Sequence, residues 1–218
     1  HFASSMKSKM RIIRMGEDKK KVFNVGALTV ENIQQISFLT KHEMEKKLNI
    51  KFKKNNFLVA IHPLSSLDRT LKIIKSTLSI FKKLKNTLLI FSSPNSDAHS
   101  KVIEKAIMKF VKVSYNSVYF KSLGYKNFLS CLKVCDGLVG NSSSGVLEAP
   151  ALKVQSINIG DRQKGRPIMP SVICCKSDTS SISKALNTLL LKKRTKKINF
   201  VSQKKLQTKF EILSILKK

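Results

Sequence analysis

The sequence predicts an α/β fold in which a doubly wound parallel sheet carries helices on both faces. Short β-branched and aromatic runs alternate along the 218 residues with longer amphipathic stretches, which is typical of βα units. Two of the runs, Phe57 to Ile61 and Thr87 to Phe91, are continuously apolar, as expected of strands buried on both faces. With 42% apolar residues and twelve Phe, the chain has enough apolar surface for a sizeable core.

Seven segments have the composition of strands. In chain order they are Lys21 to Val25, Phe57 to Ile61, Thr87 to Phe91, Ser117 to Phe120, Gly137 to Val139, Val154 to Ile159 and Val172 to Cys174. Before the first of them, residues 1–20 predict a strand-end loop and a short helix rather than the beginning of a domain.

Helices are predicted between the strands from apolar residues that recur at helical spacing. In chain order they cover Thr29 to Leu48 with Thr29 as N-cap, Ser66 to Leu84, a segment that begins at Asp97 or Ser100, Tyr125 to Cys135, Val146 to Leu152, Ser181 to Leu191 and Gln203 to Leu216. The basic run KKRTKK, Lys192 to Lys197, is expected to be a solvated connector between the last two helices.

The charge of the chain is strongly positive, with 42 Lys and Arg against 13 Asp and Glu and a net charge of +29. Such a charge is compatible with a nucleic-acid-binding module. Only six of the cations are Arg, the residue that phosphate and base-edge recognition favours, and the Lys residues are spread along the chain. We therefore favour a compositional bias that places Lys on every surface over a nucleic-acid partner.

The remaining composition argues against membrane and metal chemistry. No apolar run approaches the roughly 18 to 20 residues needed to cross a bilayer, and no signal peptide opens the chain. The four cysteines, Cys131, Cys135, Cys174 and Cys175, match no zinc or disulfide framework. We expect reduced thiols, a cytoplasmic location, no metal, no cofactor and no membrane partner.

The loops that follow the strands are where function is expected, because ligands of doubly wound sheets bind at the carboxyl ends of the strands. The loop Gly140 to Gly145 reads GNSSSG and supplies small residues, hydroxyls and a following helix N-terminus, which favours a phosphate site. It lacks the Lys of a nucleoside-triphosphatase P-loop. A plain polar turn between strand and helix remains the alternative.

Three further residues are candidates in this region. His62 directly follows a buried strand, where an imidazole is able to donate to a phosphate or act as an acid or base. Glu148 could accept hydrogen bonds from a ribose diol, or could simply be a favourable acid in the first turn of a helix. The loop Gly160 to Pro167 contains Arg162 and another Arg, which indicates either an anionic ligand or a solvated turn.

These motifs together resemble the hydrolysing UDP-N-acetylglucosamine 2-epimerases and their relatives in sialic-acid and legionaminic-acid synthesis. The resemblance rests on HFAS at the start, on MGED and VFNVG around Gly16 to Gly26, and on IHP at Ile61 to Pro63. It rests most strongly on two long segments, GNSSSGVLEAP from Gly140 to Pro150 and INIGDRQKGRP from Ile157 to Pro167. The match extends to about Lys192.

The resemblance implies the second, Rossmann-like domain of a two-domain protein with the glycosyltransferase-B architecture, closing on a nucleotide sugar. Residues 1–20 would be the tail of a missing N-terminal domain, 21–191 the UDP-binding domain, and 192–218 a basic linker with a C-terminal helix. The chain would then be incomplete. A homo-oligomer is possible on the same grounds.

The resemblance also implies a role for each candidate residue. His62, the candidate catalytic residue, would contact the diphosphate; Ser142, Ser143 and Gly145 would form the phosphate site. Glu148 would hold the ribose hydroxyls, Arg162 would contact the phosphate or sugar, and Asn95 would lie near the sugar. The segment Ser122 to Phe128 resembles the lining of a uracil pocket.

The reaction implied is elimination of UDP to a glycal, then hydration to N-acetylmannosamine or a related sugar. The family's catalytic carboxylates belong to the first domain. One alternative is a sugar transferase of the same two-domain shape, which would transfer the sugar rather than epimerise it. The other is the lysine-rich nucleic-acid-binding module, whose affinity would fall steeply with salt.

Overall fold

The described residues of the computed structural model, 1–195 and 208–217, fall into two units. One unit contains residues 1–36 and 208–217, and the other contains residues 37–195. Residues 21–36, which the sequence assigns to the UDP-binding domain, therefore cluster with the N-terminal segment.

The smaller unit is built on a two-stranded parallel pair, β1 (Phe2–Ala3) with β2 (Phe23–Asn24). Helix α1 (Met6–Arg14) follows β1, and the hydroxyl of Ser5 caps it by accepting from the backbone N–H of Ser8 at 3.1 Å. The unit also contains a 3₁₀ turn at Lys19–Lys21 and the helices α2 (Leu28–Ile33) and α9 (Thr208–Leu216). The Glu31 carboxylate accepts from the Lys209 N–H at 2.9 Å and joins α2 to α9.

The larger unit contains six strands that alternate with helices. In chain order its elements are α3 (Lys41–Leu48), β3 (Asn55–Ala60), α4 (Leu67–Phe81), β4 (Thr87–Ser92), α5 (Ser100–Val113), β5 (Ser117–Phe120), α6 (Tyr125–Val134), β6 (Gly137–Gly140), α7 (Glu148–Ala151), β7 (Ser156–Ile159), β8 (Val172–Cys175) and α8 (Thr179–Thr195). A 3₁₀ turn at Ser143–Gly145 precedes α7.

All six strands are parallel, in the order β5-β4-β3-β6-β7-β8. The chain order therefore reverses between β3 and β6, the position where such sheets open a crevice for a ligand. This arrangement confirms the predicted doubly wound α/β fold.

The core covers both faces of this sheet. On one face Phe57, Phe91 and Ile157 pack beneath α4, α5 and α8, and Phe91 makes edge-on contacts with Phe81 and Phe110 at ring-centroid distances of 6.1 and 5.8 Å. Helix α6 packs on the other face, where Leu58 and Leu129 are fully buried. The helices packed on both faces of the sheet hold the strands in place, and with them the strand ends from which the functional loops begin.

One predicted helix is wrong. The segment Thr29 to Leu48 is not continuous but forms α2, whose N-cap is Ala27, and α3. Thr40 starts α3 with a capping box, because its hydroxyl accepts from the Glu43 N–H at 3.3 Å while the Glu43 carboxylate accepts from the Thr40 N–H at 2.7 Å. The spacing of apolar residues predicted one continuous helix, although Thr40 and Glu43 form the capping box that begins a new helix.

Three other predicted helices have different limits. The predicted helix Val146 to Leu152 is reduced to the four residues of α7, because the chain first tightens into the 3₁₀ turn and Pro150 lacks an N–H. Helix α8 runs on to Thr195, into the run expected to be a connector. The start of the predicted helix at Gln203 lies outside the described residues.

No helix within residues 1–195 and 208–217 is long and apolar enough to cross a bilayer. The same residues contain no group of three or more His, Cys, Asp or Glu side chains placed to hold a metal ion.

Gly140, at the end of β6, lies too close to β3 to accommodate a side chain. Its φ is +150°, and a Cβ added there would lie 1.9 Å from the carbonyl oxygen of Ala60. We expect Gly140→Ala to lower the free energy of unfolding by more than ~3 kcal/mol, because a backbone atom must move. Gly160 also has a positive φ, +77°, but open space around it, so Gly160→Ala is the control and should cost about 1–2 kcal/mol. Equal losses in urea unfolding would contradict this account.

Candidate functional site

A cleft of about 390 Å³ opens at the carboxyl ends of the strands in the larger unit. It is formed by the loops after β3, β4, β5, β6 and β7. Its lining consists of Ala60, His62, Ser92, Ser93, Asn95, Lys121, Ser122, Leu123, Gly124, Tyr125, Phe128, Ser142, Ser143, Ser144 and Arg162. The cleft therefore lies where the strand order reverses.

Asn141 joins the two strands that flank the reversal. Its side-chain oxygen accepts from the backbone N–H of His62 at 2.7 Å, and its side-chain nitrogen donates to the His62 carbonyl at 2.8 Å. The Asn141 side chain is completely buried. One amide thus satisfies both backbone groups of His62 and fixes the ends of β3 and β6 to each other.

The backbone carbonyl of Asn141 holds a third loop. It accepts from Nη1 of Arg162 at 3.3 Å and from Nε2 of Gln163 at 2.9 Å. Gln163 is only 3% exposed, so this contact is sheltered from water. Asn141 therefore positions both His62 and Arg162 through separate atoms.

His62 is held as a neutral imidazole. Its Nδ1 accepts from the backbone N–H of Asn95 at 3.0 Å, which places the proton of the neutral ring on Nε2. The pKa of His62 is lowered from 6.5 to about 4, first by burial and then by the nearby Arg162 cation, while Asp97 acts in the opposite direction. Near pH 7 the ring is therefore a hydrogen-bond donor through Nε2 and carries no charge.

The serine-rich loop after β6 is tightly folded. The Ser142 hydroxyl accepts from the backbone N–H of Ser144 at 3.3 Å, and the carbonyl of Ser142 accepts from the N–H of Gly145 at 3.1 Å. The Ser156 hydroxyl donates to the carbonyl of Gly145. A Cβ at Gly145 would lie 3.3 Å from the side chain of Leu138, so glycine permits the close packing that holds this loop down.

Glu148 lies next to the cleft without lining it. Burial raises the pKa of its carboxyl, while its own backbone, the Ser144 hydroxyl and Arg166 act in the opposite direction. Its Oε2 is buried and has no hydrogen-bond partner among the described residues. Its charge also helps to raise the pKa of Tyr125, which lines the cleft. A buried carboxylate oxygen without a partner is costly unless a ligand supplies a donor.

The structure brings most of the candidate residues from the sequence together. His62, Asn95, Ser142, Ser143 and Arg162 all line the cleft. Gly145 and Glu148 do not line the cleft. Gly145 allows the serine loop to pack against Leu138, and Glu148 lies next to the cleft.

Sequence reasoning missed Asn141 and Gln163. Both lie inside the motifs, but their role depends on hydrogen bonds between residues that are 79 and 22 positions apart in the sequence. Only the order of the strands brings those loops together.

A larger depression of about 510 Å³ lies beyond the ends of β7 and β8. It is lined by charged groups that pair within the protein, since Arg69 forms an ion pair with Asp161 and Asp178 accepts from the N–H of Ser181 at 2.8 Å. Gly160 and Asp161 of the motif INIGDRQKGRP line it, but none of the candidate site residues His62, Asn95, Ser142, Ser143, Gly145, Glu148 and Arg162 does. We therefore place the functional site in the cleft at the strand reversal.

Fold and cleft together define a doubly wound α/β domain with a donor-rich crevice at its strand reversal. Comparison with known proteins identifies its family. The family model described as UDP-N-acetylglucosamine 2-epimerase matches residues 1–210, nearly the whole chain. The chain belongs to the UDP-N-acetylglucosamine 2-epimerase family, as the sequence motifs indicated.

Curated relatives agree with the family assignment. The chain is 40% identical over 168 residues to the GDP/UDP-N,N'-diacetylbacillosamine 2-epimerase (hydrolyzing) of Campylobacter jejuni, covering 76% of this chain and 44% of that protein. It is 36% identical over 191 residues to the polysialic acid biosynthesis protein P7 of Escherichia coli, covering 86% and 48% respectively. The chain thus spans about half the length of the curated relatives it matches.

Solved structures share the fold. The UDP-GlcNAc 2-epimerase of Methanocaldococcus jannaschii in complex with UDP-GlcNAc and UDP superimposes with a TM-score of 0.73 at 19% identity, over 99% of this chain and 60% of that one. The UDP-GlcNAc 2-epimerase of Neisseria meningitidis bound to UDP-GlcNAc gives a TM-score of 0.68 at 18% identity, over 100% and 60%.

Removal of the Asn141 side chain should be strongly destabilising. Asn141→Ala leaves the buried N–H and carbonyl of His62 without partners, and we expect it to lower the free energy of unfolding by ~2–4 kcal/mol. The matched control is Asn187→Ala on the exposed surface of α8, which should change it by less than about 0.5 kcal/mol. Urea unfolding of both variants measures the difference, and similar losses would show that the Asn141 amide does not hold the site.

The lowered pKa of His62 predicts a pH dependence of stability. A group whose pKa is lower in the folded state contributes stability above its unfolded pKa of 6.5, and loses it as the pH falls through about 4. Between pH 7 and pH 4 the wild-type chain should lose up to about 3 kcal/mol more than His62→Gln. Urea unfolding at intervals across this range measures both curves. Parallel curves would mean that His62 is not buried in its neutral form.

Proposed function

We propose that the chain is the UDP-binding domain of a hydrolysing UDP-N-acetylglucosamine 2-epimerase. The observation that carries this proposal is the chemistry of the cleft. Its lining residues include two cationic side chains, Lys121 and Arg162, several hydroxyls and a neutral imidazole, and none of them is acidic. A site of donors and cations at a strand reversal is suited to the diphosphate of a nucleotide sugar.

The diphosphate would be bound by His62, Arg162 and the serine loop. His62 would donate from Nε2, and Arg162 would offset the negative charge from the opposite loop. Because α7 has only four residues, the field of a helix N-terminus contributes less than the GNSSSG motif suggests, and the hydroxyls of Ser142 and Ser143 carry more of the recognition. Asn95, whose backbone orients His62, would place its side chain near the sugar.

The nucleoside would be bound on the other side of the serine loop. The partnerless Oε2 of Glu148 would accept from the hydroxyls of the ribose. Between Ser122 and Phe128, the side chains of Leu123, Tyr125 and Phe128 line the cleft and offer apolar surface to a uracil ring.

In the proposed reaction, a base removes the proton from C2 of a 2-acetamido sugar while the C1–O bond breaks. UDP leaves with the bonding electron pair, and a glycal remains. Water then adds its hydroxyl to C1 and a proton returns to C2 on the opposite face, which gives UDP and the 2-epimer, a ManNAc-type sugar. The cleft residues would stabilise the charge that develops on the departing UDP.

The proton-transfer groups are not assigned to this chain. By resemblance, the carboxylates that move these protons belong to the first domain of the family's two-domain proteins. We accordingly propose that residues 1–20 belong to the end of that domain. Within the range 21–191 that the sequence assigns to UDP binding, we propose that the binding residues lie in the larger unit, after residue 36. The names of the relatives in Campylobacter and Legionella, both hydrolysing diacetylbacillosamine 2-epimerases, support the reaction type.

Calorimetric titration of the folded chain with UDP tests the proposal. We expect saturable binding at moderate salt, and much weaker binding of uridine because the diphosphate contacts are lost. Glu148→Ala should weaken UDP binding at least ten-fold, since hydrogen bonds to a charged group contribute about 1.5–3 kcal/mol. Asp68→Ala is the control, because it removes an exposed carboxylate outside the cleft.

Two outcomes would count against the proposal. UDP binding that is unchanged in His62→Ala, Ser143→Ala and Glu148→Ala would contradict the site assignment. If the chain together with its first domain transferred the sugar to an acceptor and released no ManNAc-type sugar, the alternative of a sugar transferase would be correct.

A further inference from the structure

The edge of the sheet opposite the cleft has an unusual charge. Three loops lead into the adjacent strands β3, β4 and β5. Together with the last two residues of α5 they comprise residues 51–54, 82–86 and 112–116. Seven of these 14 residues are Lys, namely Lys51, Lys53, Lys54, Lys82, Lys83, Lys85 and Lys112, and none is Asp or Glu. Across the whole chain 42 of 218 residues are cationic. The fraction of cationic residues in these segments is therefore well above the fraction in the whole chain, and a general bias toward Lys does not account for it.

The three loops form one continuous surface, which we call the lysine edge. The N–H of Asn55 donates to the carbonyl of Asn86 at 3.1 Å, and the N–H of Leu89 donates to the carbonyl of Asn116 at 2.9 Å. The Asn116 side chain donates to the carbonyl of Leu84 at 3.3 Å. These bonds hold the loops side by side, so their cations share one surface instead of being spread over the fold.

Two side chains project from the lysine edge with little cover. Tyr115 is 92% exposed and Val113 is 76% exposed. The ammonium of Lys53 lies 4.8 Å from the centre of the Tyr115 ring. Exposed apolar groups gain free energy where they leave water for an apolar environment.

Two carboxylates border the lysine edge and are both engaged by backbone groups. Glu45 accepts from the N–H of Phe52 at 2.9 Å, and Asp136 accepts from the N–H of Asn56 at 2.7 Å. They leave the surface with a large excess of positive charge, which attracts anionic surfaces within about one Debye length.

Contrary to the expectation from the sequence that the chain has no membrane partner, we propose that the lysine edge is a docking surface for an anionic lipid bilayer. Lysine is a hydrated point charge, suited to attraction by many headgroups without defined geometry, and the edge contains no Arg. Tyr115 and Val113 would enter the headgroup layer, where tyrosine is favourable because one end is apolar and the other polar.

A nucleic acid is the less favourable occupant. Recognition of single strands relies on successive bases stacked on several aromatic rings, whereas Tyr115 is the one aromatic side chain of residues 51–54, 82–86 and 112–116 that is exposed. Recognition of phosphates with defined geometry relies on Arg, which the edge lacks.

The orientation that follows keeps the candidate site open. The lysine edge lies at the amino ends of the parallel strands, and the cleft lies at their carboxyl ends. A bilayer bound at the lysine edge therefore leaves the cleft facing water. The proposal does not depend on what the cleft binds, so it stands or falls separately from the proposed function.

Co-sedimentation with lipid vesicles tests the proposal. We expect the chain to bind vesicles of phosphatidylcholine containing about one third phosphatidylglycerol, to ignore pure phosphatidylcholine, and to be released as salt approaches about 0.5 M. The variant Lys51→Gln, Lys83→Gln, Lys85→Gln, Lys112→Gln should lower the partition coefficient at least fifty-fold, since each Lys near the surface is worth about five-fold. Tyr115→Ser should weaken binding further in the same assay.

A control variant of equal charge separates this surface from the overall charge. Lys72→Gln, Lys75→Gln, Lys101→Gln, Lys105→Gln removes four exposed cations from α4 and α5, outside the lysine edge, and it should lower binding less than five-fold. Equal losses in the two variants would overturn the proposal, because net charge alone would explain the binding. It would also be overturned by absence of binding to anionic vesicles, or by binding to an RNA oligonucleotide alone that the lysine-edge variant abolishes.

Discussion

The close approach of β3 and β6 is the constraint on which the site depends. At this point the sheet reverses its strand order, and Gly140 lies against the carbonyl of Ala60 without room for a side chain. The next residue, Asn141, is consequently close enough to pair with both backbone groups of His62. Since the carbonyl of Asn141 also holds the loop of Arg162 and Gln163, three loops are fixed by one strand contact.

This constraint also controls the electrostatics of the cleft. Because the strand ends meet closely, His62 is only 7% exposed, and burial is the largest cause of its low pKa. The positive charge of Arg162 acts in the same direction. The cleft is consequently cationic through Arg and Lys groups alone, while its imidazole is an uncharged donor. A protonated imidazole would attract an anion more strongly, but it would also release a departing anion more slowly and destabilise the fold at this contact.

The fold was predictable because its signal is local. Continuous apolar runs such as Phe57 to Ile61 identify buried parallel strands, and amphipathic stretches between them identify the crossovers. The break before α3 is also a local signal, the capping box of Thr40 and Glu43, but the spacing of apolar residues favoured one continuous helix. The candidate residues at strand ends followed from the same logic. The role of Asn141 and the lysine edge were not predictable in this way, because both depend on which strands are neighbours in the sheet.

The two edges of the larger sheet carry positive charge in physically different ways. At the carboxyl edge, two cations and a neutral imidazole line a cleft of about 390 Å³, where low dielectric and fixed hydrogen bonds make each contact strong and geometrically selective. At the amino edge, seven Lys residues lie in loops open to water, where each charge is screened and contributes little alone. Only an extended anion that meets many of them at once gains substantially from that arrangement, whereas a single small ligand gains most from the cleft. The parallel sheet, with all its strands in one direction, is what keeps these two kinds of recognition apart.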